Sequence, residues 1–405
     1  MFTMAGGPRP CGASGVPTIT QVNSRSSASV ASTPLANPPV DAHDASELTR
    51  LIAAEIAAQG GWIGFERFME LALYAPGLGY YARGDRQFGL MPASGSDFVT
   101  APQLSPLFGA TLARQVAQAL DATGTDELWE FGAGSGALAA QLLAALGDRV
   151  RRYTIVELST PLRERQRQTL AAHETRLRWL SALPPRFSGV VLGNEVLDAM
   201  PVMLLHHDGG QWWERGVCVE GGRFQWHDRP TLARPPVDAA YVPGTVTELG
   251  RHGTGFVRTL AAGLERGAAF FIDYGFPEAE YYHPQRHGGT LMCHRAHRAD
   301  TDPLVDVGDK DITAHVDFSA VALAGQEAGL TVLGYTSQAR FLLNCGLLEG
   351  LLNGRPEVDL RTTSHAHKLL AEHEMGELFK VIGFAAGGLE FEAMGFAAGD
   401  RTHTL

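Results

Sequence analysis

The chain has only three lysines (Lys310, Lys368 and Lys380) against thirty arginines, and only four cysteines in 405 residues. Cys11, Cys218, Cys293 and Cys345 are scattered, with no C-x-x-C spacing. That excludes a disulfide-stapled scaffold and leaves reduced thiols in a cytoplasm as the simplest account. Long apolar runs are missing as well. The longest, residues 136–147, is interrupted by Gln141 and falls short of the roughly 20 residues that span a bilayer, so membrane insertion is not expected. Basic residues are outnumbered, 33 to 44, for a net charge of −11, which argues against a nucleic-acid binder built on phosphate contacts. No acid precedes Asp41. The first forty residues are rich in Ser, Pro, Ala and Gly, and lack both the apolar core of a secretory signal and a clear amphipathic transit helix. Disorder is expected there, as a native leader or a misannotated start. The preference for arginine over lysine points to a high-GC bacterial genome.

What is present is a strand that runs into a glycine turn. Residues 128–136 read Leu-Trp-Glu-Phe-Gly-Ala-Gly-Ser-Gly, and Glu157 follows 21 residues later. Gly132, Gly134 and Gly136 lack a Cβ, so the backbone can turn sharply and approach a ligand closely. The helix after them presents its unpaired N–H groups at the turn. Glu157 ends the next strand, where a carboxylate can accept hydrogen bonds from ribose hydroxyls. The whole is a nucleoside-binding βαβ unit. Read through Gly132, Gly134 and Ala137, the turn passes the G-x-G-x-x-A dinucleotide fingerprint. Read as E-x-G-x-G-x-G from Glu130, it resembles motif I of class I S-adenosylmethionine methyltransferases. Glu130 favours the second reading, because a carboxylate would face a pyrophosphate unfavourably, whereas S-adenosylmethionine carries an ammonium and a sulfonium. The glycine pattern alone leaves both classes open.

Hydrophobic periodicity predicts helices over residues 45–58 and from 61 to about 76, followed by a turn that displays Tyr80 and Tyr81. These form a helical cap over residues 45–102. A longer amphipathic helix aligns Leu104, Leu107, Phe108, Leu112, Val116 and Leu120. Downstream, strands are expected at residues 177–180, 189–193, 268–273 and 331–341, and a last antiparallel one at the sheet edge near 377–384. A helix is expected over 247–264. Residues 202–245 read as short antiparallel strands inserted on the sheet, and 275–316 carry no strong periodicity. The fold is therefore expected to be α/β and Rossmann-like: a doubly wound, seven-stranded class I methyltransferase sheet over residues 103–390. Its N-terminal cap is helical, its substrate-side insertions fall at about 202–245 and 275–316, and its tail at 391–405. Seven strands suit a methyltransferase better than a dehydrogenase, whose second mononucleotide half is not evident.

Ligands on such sheets bind at the carboxyl ends of the strands. Donor contacts are expected from Glu130, Gly132, Ala133, Gly134, Gly136, Glu157 and Leu158, from Ala182 and Leu183 beside the adenine, and from Asn194. Asp97 and Thr100, on the cap loop, are expected to close over the donor. Each of these is also a plausible turn or cap residue, and for Ser181 capping is the better reading.

Beyond the glycine turn, six segments resemble the MidA-type methyltransferases in matching order over residues 45–390. They are residues 95–102, 130–136, 194–202, 272–275, 311–318 and 375–377. This is the family of the mitochondrial complex I assembly-factor protein-arginine methyltransferase. The resemblance implies a class I fold and S-adenosyl-L-methionine as donor. For the mitochondrial member it implies symmetric dimethylation of an arginine in a catalytic-core subunit of complex I. One departure stands out: the turn here is Ala-Gly-Ser-Gly (residues 133–136) where that member has Pro-Gly-Arg-Gly. A protein partner is implied, and the bacterial cytoplasm as location, or the mitochondrial matrix for a eukaryotic chain.

The chemistry narrows the acceptor side. Methyl transfer is an in-line displacement, so alignment and desolvation are what a protein can contribute. A guanidinium is a poor nucleophile that stays protonated, but carboxylates can bind two of its nitrogens in a fork and aim the third. Glu195 and Asp198 share a face if their loop continues as a helix. Glu195 is expected to hold the guanidinium, with Asp198 as a second carboxylate, although Asp198 could instead cap the turn before Pro201. His315 and Asp317 form a second constellation able to relay a proton, but Asp317 precedes a helix as a natural N-cap and His315 reads as a packed loop residue. His283, His287, Cys293, His294 and His297 match no familiar zinc spacing, and no metal is expected. Tyr80, Tyr81 and Trp62 read as cap packing. Three classes stay in play: a protein-arginine methyltransferase, a small-molecule methyltransferase, and a non-catalytic donor-binding assembly factor.

Overall fold

The computed structural model describes residues 46–83, 100–295, 298–352 and 359–405. The expected leader, Asp97 and His297 lie outside the described residues.

Helix α1 (Glu47–Ala58) starts at Ser46, whose hydroxyl accepts the Thr49 N–H at 3.1 Å, and buries Leu48, Ile52 and Ile56 at four-residue spacing. Helix α2 (Phe65–Tyr74) buries Phe65, Phe68, Met69, Leu71, Ala72 and Leu73. A four-residue helix, Ala101–Leu104, leads into α3 (Pro106–Thr123). Ser105 caps α3, Pro106 opens it, and Gly124 closes it with φ 60°, a left-handed end that glycine adopts without strain.

The alternation then runs β1 (Glu127–Phe131), α4 (Ala137–Leu146), β2 (Arg152–Val156), α5 (Thr160–Thr169), β3 (Leu177–Leu180) and β4 (Phe187–Asn194). After an excursion it resumes with α6 (Arg251–Gly263), β5 (Leu264–Phe276), α7 (Phe318–Glu327), β6 (Thr331–Ser337) and β7 (Phe379–Ala386). These strands form one sheet in the order β6-β7-β5-β4-β1-β2-β3, with the short strand Val316–Asp317 added beside β5. All neighbours are parallel except β7, which runs antiparallel to both β5 and β6. The chain winds outward in both directions from β1 and β4, so the crevice at their carboxyl ends is the topological switch point.

The last strand is thus internal rather than at the edge. Its eight residues are all buried, as expected of a strand covered on both faces, and its run of apolar side chains carries that signal. Helices pack on the two faces of the sheet. Alternation along β5 sends Phe270 toward Leu112, Val116 and Phe341, and Phe271 toward Val257, Leu260 and Phe318. Each such ring, fully buried, contributes roughly 1.5–3 kcal/mol. The C-terminal tail joins the first layer through Phe396, while Gln115 and Gln118 accept the N–H groups of Gly395 and Met394.

The excursion between β4 and α6 builds a second, antiparallel sheet from Met203–His207, Trp212–Glu220, Arg223–Pro230 and Thr245–Leu249, joined by Ile63–Gly64. The helix expected over 247–264 therefore starts only at Arg251. Thr245, Val246 and Thr247 are β-branched, and they pair with Met203–His207 instead. Residues 275–316, which show no clear period, contain a third sheet of Met292–Arg295, Arg298–Asp300 and Asp311–Thr313. Side chains of α1 and α2 share one apolar core with Leu204 and Val217 of the second sheet and Cys293 and Ile312 of the third. Three sequence-distant segments thereby form one lobe over the crevice.

Candidate active site

The glycine turn after β1 is held open by backbone conformation. Gly132, Gly134 and Gly136 have φ of 61°, 51° and 82°, which side chains with a Cβ adopt only at a cost. A Cβ on Gly132 would also stand 2.7 Å from Cγ2 of Val196, so the turn and the loop after β4 touch. Gln166 of α5, completely buried, ties the donor side together: its amide donates to Gly134 O and to Oε2 of Glu157, both at 3.1 Å, and accepts from the Trp179 indole at 2.9 Å. Oε1 of Glu157 accepts the Ser159 N–H at 2.9 Å, and burial raises this carboxyl above its ordinary pKa. Glu130 is 2% exposed and accepts the Tyr153 hydroxyl at 2.7 Å; burial pushes it up to about 7.

Across the crevice, residues 195–200 form no helix, which corrects the expected reason for Glu195 and Asp198 to share a face. Glu195 takes φ 55° and reverses the chain, while Oδ2 of Asp273, at the end of β5, accepts the N–H groups of Val196, Leu197 and Asp198 at 3.0, 2.8 and 3.3 Å. Both side chains still reach the same cavity. Glu195 accepts from Nδ2 of Asn194 at 2.9 Å and from the Tyr274 hydroxyl at 3.2 Å. Burial, and then the charge of Asp273, raise it to about 8. Burial also raises Asp198 and Asp273. Four backbone amides, with Tyr274 N–H as the fourth, keep Asp273 the anionic partner, and Asp198 holds its proton well above the usual range.

The overlying lobe supplies the opposite wall. The Tyr74 hydroxyl donates to Ala199 O at 2.8 Å, the Tyr81 hydroxyl to Oδ1 of Asp311 at 2.8 Å, and the two rings stack at 5.6 Å and 20°. Ala314 N–H donates to Asp198 O at 2.9 Å. The cavity enclosed between these walls measures about 1770 Å³, more than the range of roughly 300–1,000 Å³ usual for one small ligand.

Of the expected donor residues, Thr100, Glu130, Gly132, Ala133, Gly134, Glu157, Leu158, Leu183 and Asn194 line this cavity together with Glu195 and Asp198. Gly136 does not. It is buried against Gln166 and Leu170 and serves the helix entry. Ala182 is exposed beside the cavity rather than in its wall. Asp317 caps α7 by accepting the Ala320 N–H at 3.0 Å, and His315 stacks on Phe276 at 5.3 Å and 12°. Both are structural, as the sequence reading favours. Tyr80 is buried in the lobe, but Tyr81 faces the cavity. Sequence reasoning missed Gln103 and Gln166, and left Asp273, Tyr274 and Asp311 without roles, although Asp273 and Tyr274 are placed by it at the end of the fifth strand, on the ligand rim. The position of Asp273 at a strand end was the one usable signal.

The rim also carries unmet hydrogen-bonding capacity. Oδ1 of Asn194 and Oε1 of Gln103 are buried without a partner among the described residues, and both residues line the cavity. Nδ2 of Asn194 and Nε2 of Gln103 are engaged by Glu195 and Ser135, so acceptor oxygens are what remain. With the Glu157 carboxylate in the same cavity wall, they suit a ligand bearing hydroxyl and ammonium donors better than a pyrophosphate.

A seven-stranded sheet of this order with a carboxylate-lined switch point defines a class I S-adenosyl-L-methionine-dependent methyltransferase. Residues 111–336 match the profile of one such family, the Methyltransf_28 S-adenosyl-L-methionine-dependent methyltransferases, and the chain belongs to it. It is similar to a COG1565 superfamily member from Burkholderia thailandensis whose crystal structure contains S-adenosyl-homocysteine. The two are 54% identical, with a TM-score of 0.84 over 88% of this chain and 96% of that one. Among curated relatives, it is 27% identical to the mitochondrial protein arginine methyltransferase NDUFAF7 of Danio rerio, over 81% of this chain and 84% of that protein. The corresponding homolog of Drosophila melanogaster is 28% identical, over 88% and 91%.

Proposed function

We propose that this methyltransferase acts on an arginine of a protein, with a respiratory NADH dehydrogenase (complex I-type) subunit as the first candidate. The observation that carries the reading is the pair Glu195 and Asp198, brought to one cavity wall opposite two stacked tyrosines. Carboxylates and aromatic faces are the groups that recognise a planar cation. The curated relatives named as protein arginine methyltransferases support it.

S-adenosyl-L-methionine supplies an electrophilic methyl group on a sulfonium. Glu157 holds the ribose hydroxyls, Leu158 and Leu183 flank the adenine, and the free oxygens of Asn194 and Gln103 receive the ammonium. Glu195 grips two guanidinium nitrogens and Asp198 supports it from the same loop. The third nitrogen, so aimed, attacks the methyl carbon in line as the carbon–sulfur bond breaks. The methylated nitrogen then gives up a proton. Glu195, whose pKa is raised to about 8, is placed to receive it, and Tyr274 keeps its carboxylate oriented.

The test compares intact and peptide masses of respiratory NADH dehydrogenase from a strain lacking the protein with those from its parent. Loss of methylated arginine, restored by the wild-type chain and not by Glu195→Gln, supports the reading. Unchanged protein masses alongside an accumulating unmethylated metabolite would assign a small-molecule acceptor instead.

A further inference from the structure

Gln141 is the one polar side chain in the apolar run of residues 136–147. Around it, α4 turns Leu138, Ala139, Leu142 and Leu143 into the core. The Gln141 amide instead ties together two segments that precede β1. Its Nε2 donates to Pro102 O at 2.6 Å, and its Oε1 accepts the Gly109 N–H at 2.9 Å. Pro102 lies in the four-residue helix Ala101–Leu104, and Gly109 in the first turn of α3. A Cβ on Gly109 would stand 2.4 Å from Oε1 and 2.5 Å from Cβ of Gln141, so the contact needs glycine there.

A helix of four residues is too short to hold its own place. Burial of Ala101 anchors it, and two side-chain amides set its direction. Gln141 holds it through Pro102, while Gln103 reaches the glycine turn, donating from Nε2 to Oγ of Ser135 at 3.3 Å. Thr100, Pro102 and Gln103 are thereby fixed as part of the cavity wall. Glu157, Leu158 and Leu183 line the same cavity from the segments that follow β2 and β3. The hydrogen bonds of Gln141 run to the short helix and α3, not to that side.

Resting on the placement of the donor's ammonium at the Gln103 oxygen proposed above, we propose that residues 100–104 form the wall for the amino-acid half of the donor and that Gln141 is the positioning residue of that wall. The nucleoside half is met by the residues that follow β2 and β3, so the two halves are recognised by separately supported segments. An adenosyl thioether without the amino acid forgoes the first wall and keeps the second. Gln141 therefore governs discrimination between the donor and such nucleosides, although its own side chain lies outside the cavity wall.

The experiment titrates the full-length protein by calorimetry with S-adenosyl-homocysteine and with 5′-methylthioadenosine, the same kind of thioether nucleoside without the amino acid. No acceptor is present, so the arginine reading is not engaged. Gln141→Leu should weaken S-adenosyl-homocysteine roughly fivefold or more, the loss of one to two hydrogen bonds, and leave 5′-methylthioadenosine within about twofold of wild type. Gln141→Glu keeps the bond from Gly109 but sets an acceptor against Pro102 O, and should show the same split. Gly109→Ala raises helix propensity while pushing the Gln141 amide aside; it should show the split too, and it stands in if Gln141→Leu does not fold. Gln103→Leu should lose at least as much affinity for S-adenosyl-homocysteine. Hydrogen exchange over residues 101–105 supplies a second readout: S-adenosyl-homocysteine should slow it in the wild type and much less in Gln141→Leu. Equal losses for both ligands, or unchanged affinity and protection in the Gln141 and Gly109 variants while Gln103→Leu is impaired, would overturn the role of Gln141 alone. Unchanged affinity in Gln103→Leu would overturn the placement of the ammonium and this inference with it.

Discussion

Oδ2 of Asp273 lies 2.8 Å from the amide nitrogen of Leu197, and through this contact β5, one residue past its last pair with β4, sets the shape of the loop that follows β4. The same oxygen takes the amides of Val196 and Asp198, which lets Glu195 hold its left-handed conformation while its side chain meets the cavity. Asp273→Asn keeps the volume but replaces an anion with a neutral amide, and one of its two heads is a donor facing donors. The expected result is a loss of about 1–3 kcal/mol in urea unfolding and a larger fall in kcat than in donor affinity, read by transfer assay and calorimetry.

Gln166 is the comparable tie on the donor side. It joins Gly134 O, the Glu157 carboxylate and the Trp179 indole while fully buried. Gln166→Leu strands all three partners. Affinity for S-adenosyl-homocysteine should drop by about tenfold or more, because Glu157, proposed to hold the ribose hydroxyls, is freed to rotate. An unchanged affinity in calorimetry would mean that α5 positions Glu157 without its help.

The contrast between these two ties shows what the chain discloses by itself. The glycine turn, Glu157 and the alternation of strands and helices were legible, because positive φ, a strand-end acid and apolar periodicity all act over a few residues. Glu195 and Asp198, singled out by their position after β4, both line the cavity, although the spacing suggested a helix that the reversal at Glu195 replaces with a turn. Gln166 was not legible, since an amide in an exposed-looking helix reads as surface until Trp179 and Gly134 are seen around it. The same holds for Tyr81 and Asp311, which meet across 230 residues of sequence. Such pairings depend on how the second and third sheets dock, and no local pattern records that.

Gly132 and Gly136 should separate along the same lines. Both have positive φ, so alanine at either is strained by about 1–2 kcal/mol. Only at Gly132 does the new Cβ fall 2.7 Å from Val196, against 3.4 Å from Leu170 at Gly136. Gly132→Ala should therefore lower both donor affinity and turnover, by displacing the loop after β4. Gly136→Ala should lower stability with a smaller effect on turnover per folded molecule. Thermal unfolding with and without S-adenosyl-homocysteine, beside the transfer assay, distinguishes the two.

The buried carboxyls give the protein an unusual response to pH. Glu195 is raised from 4.5 to about 8, Glu130 from 4.5 to about 7, and Asp317 from 3.8 to about 6, in each case chiefly by burial. A carboxyl whose folded pKa exceeds its unfolded value binds a proton more tightly when folded. Its favourable contribution is complete below the unfolded pKa and disappears as pH rises through the folded one, at up to about 1.4 kcal/mol per unit for each group. Without acceptor, the unfolding midpoint should accordingly fall between pH 5 and 8.5, opposite to the trend of a protein held by ion-paired acids. Glu195→Gln should flatten the upper part of that curve, between about pH 7 and 8.5, because the amide cannot ionise. On the proposed arginine reading the same carboxyl must be charged to hold a guanidinium, so kcat/KM should rise with pH and level off above about 8. A midpoint that climbs with pH, together with a flat rate profile, would mean that Glu195 is already ionised in the free protein and that its proton plays no part in transfer.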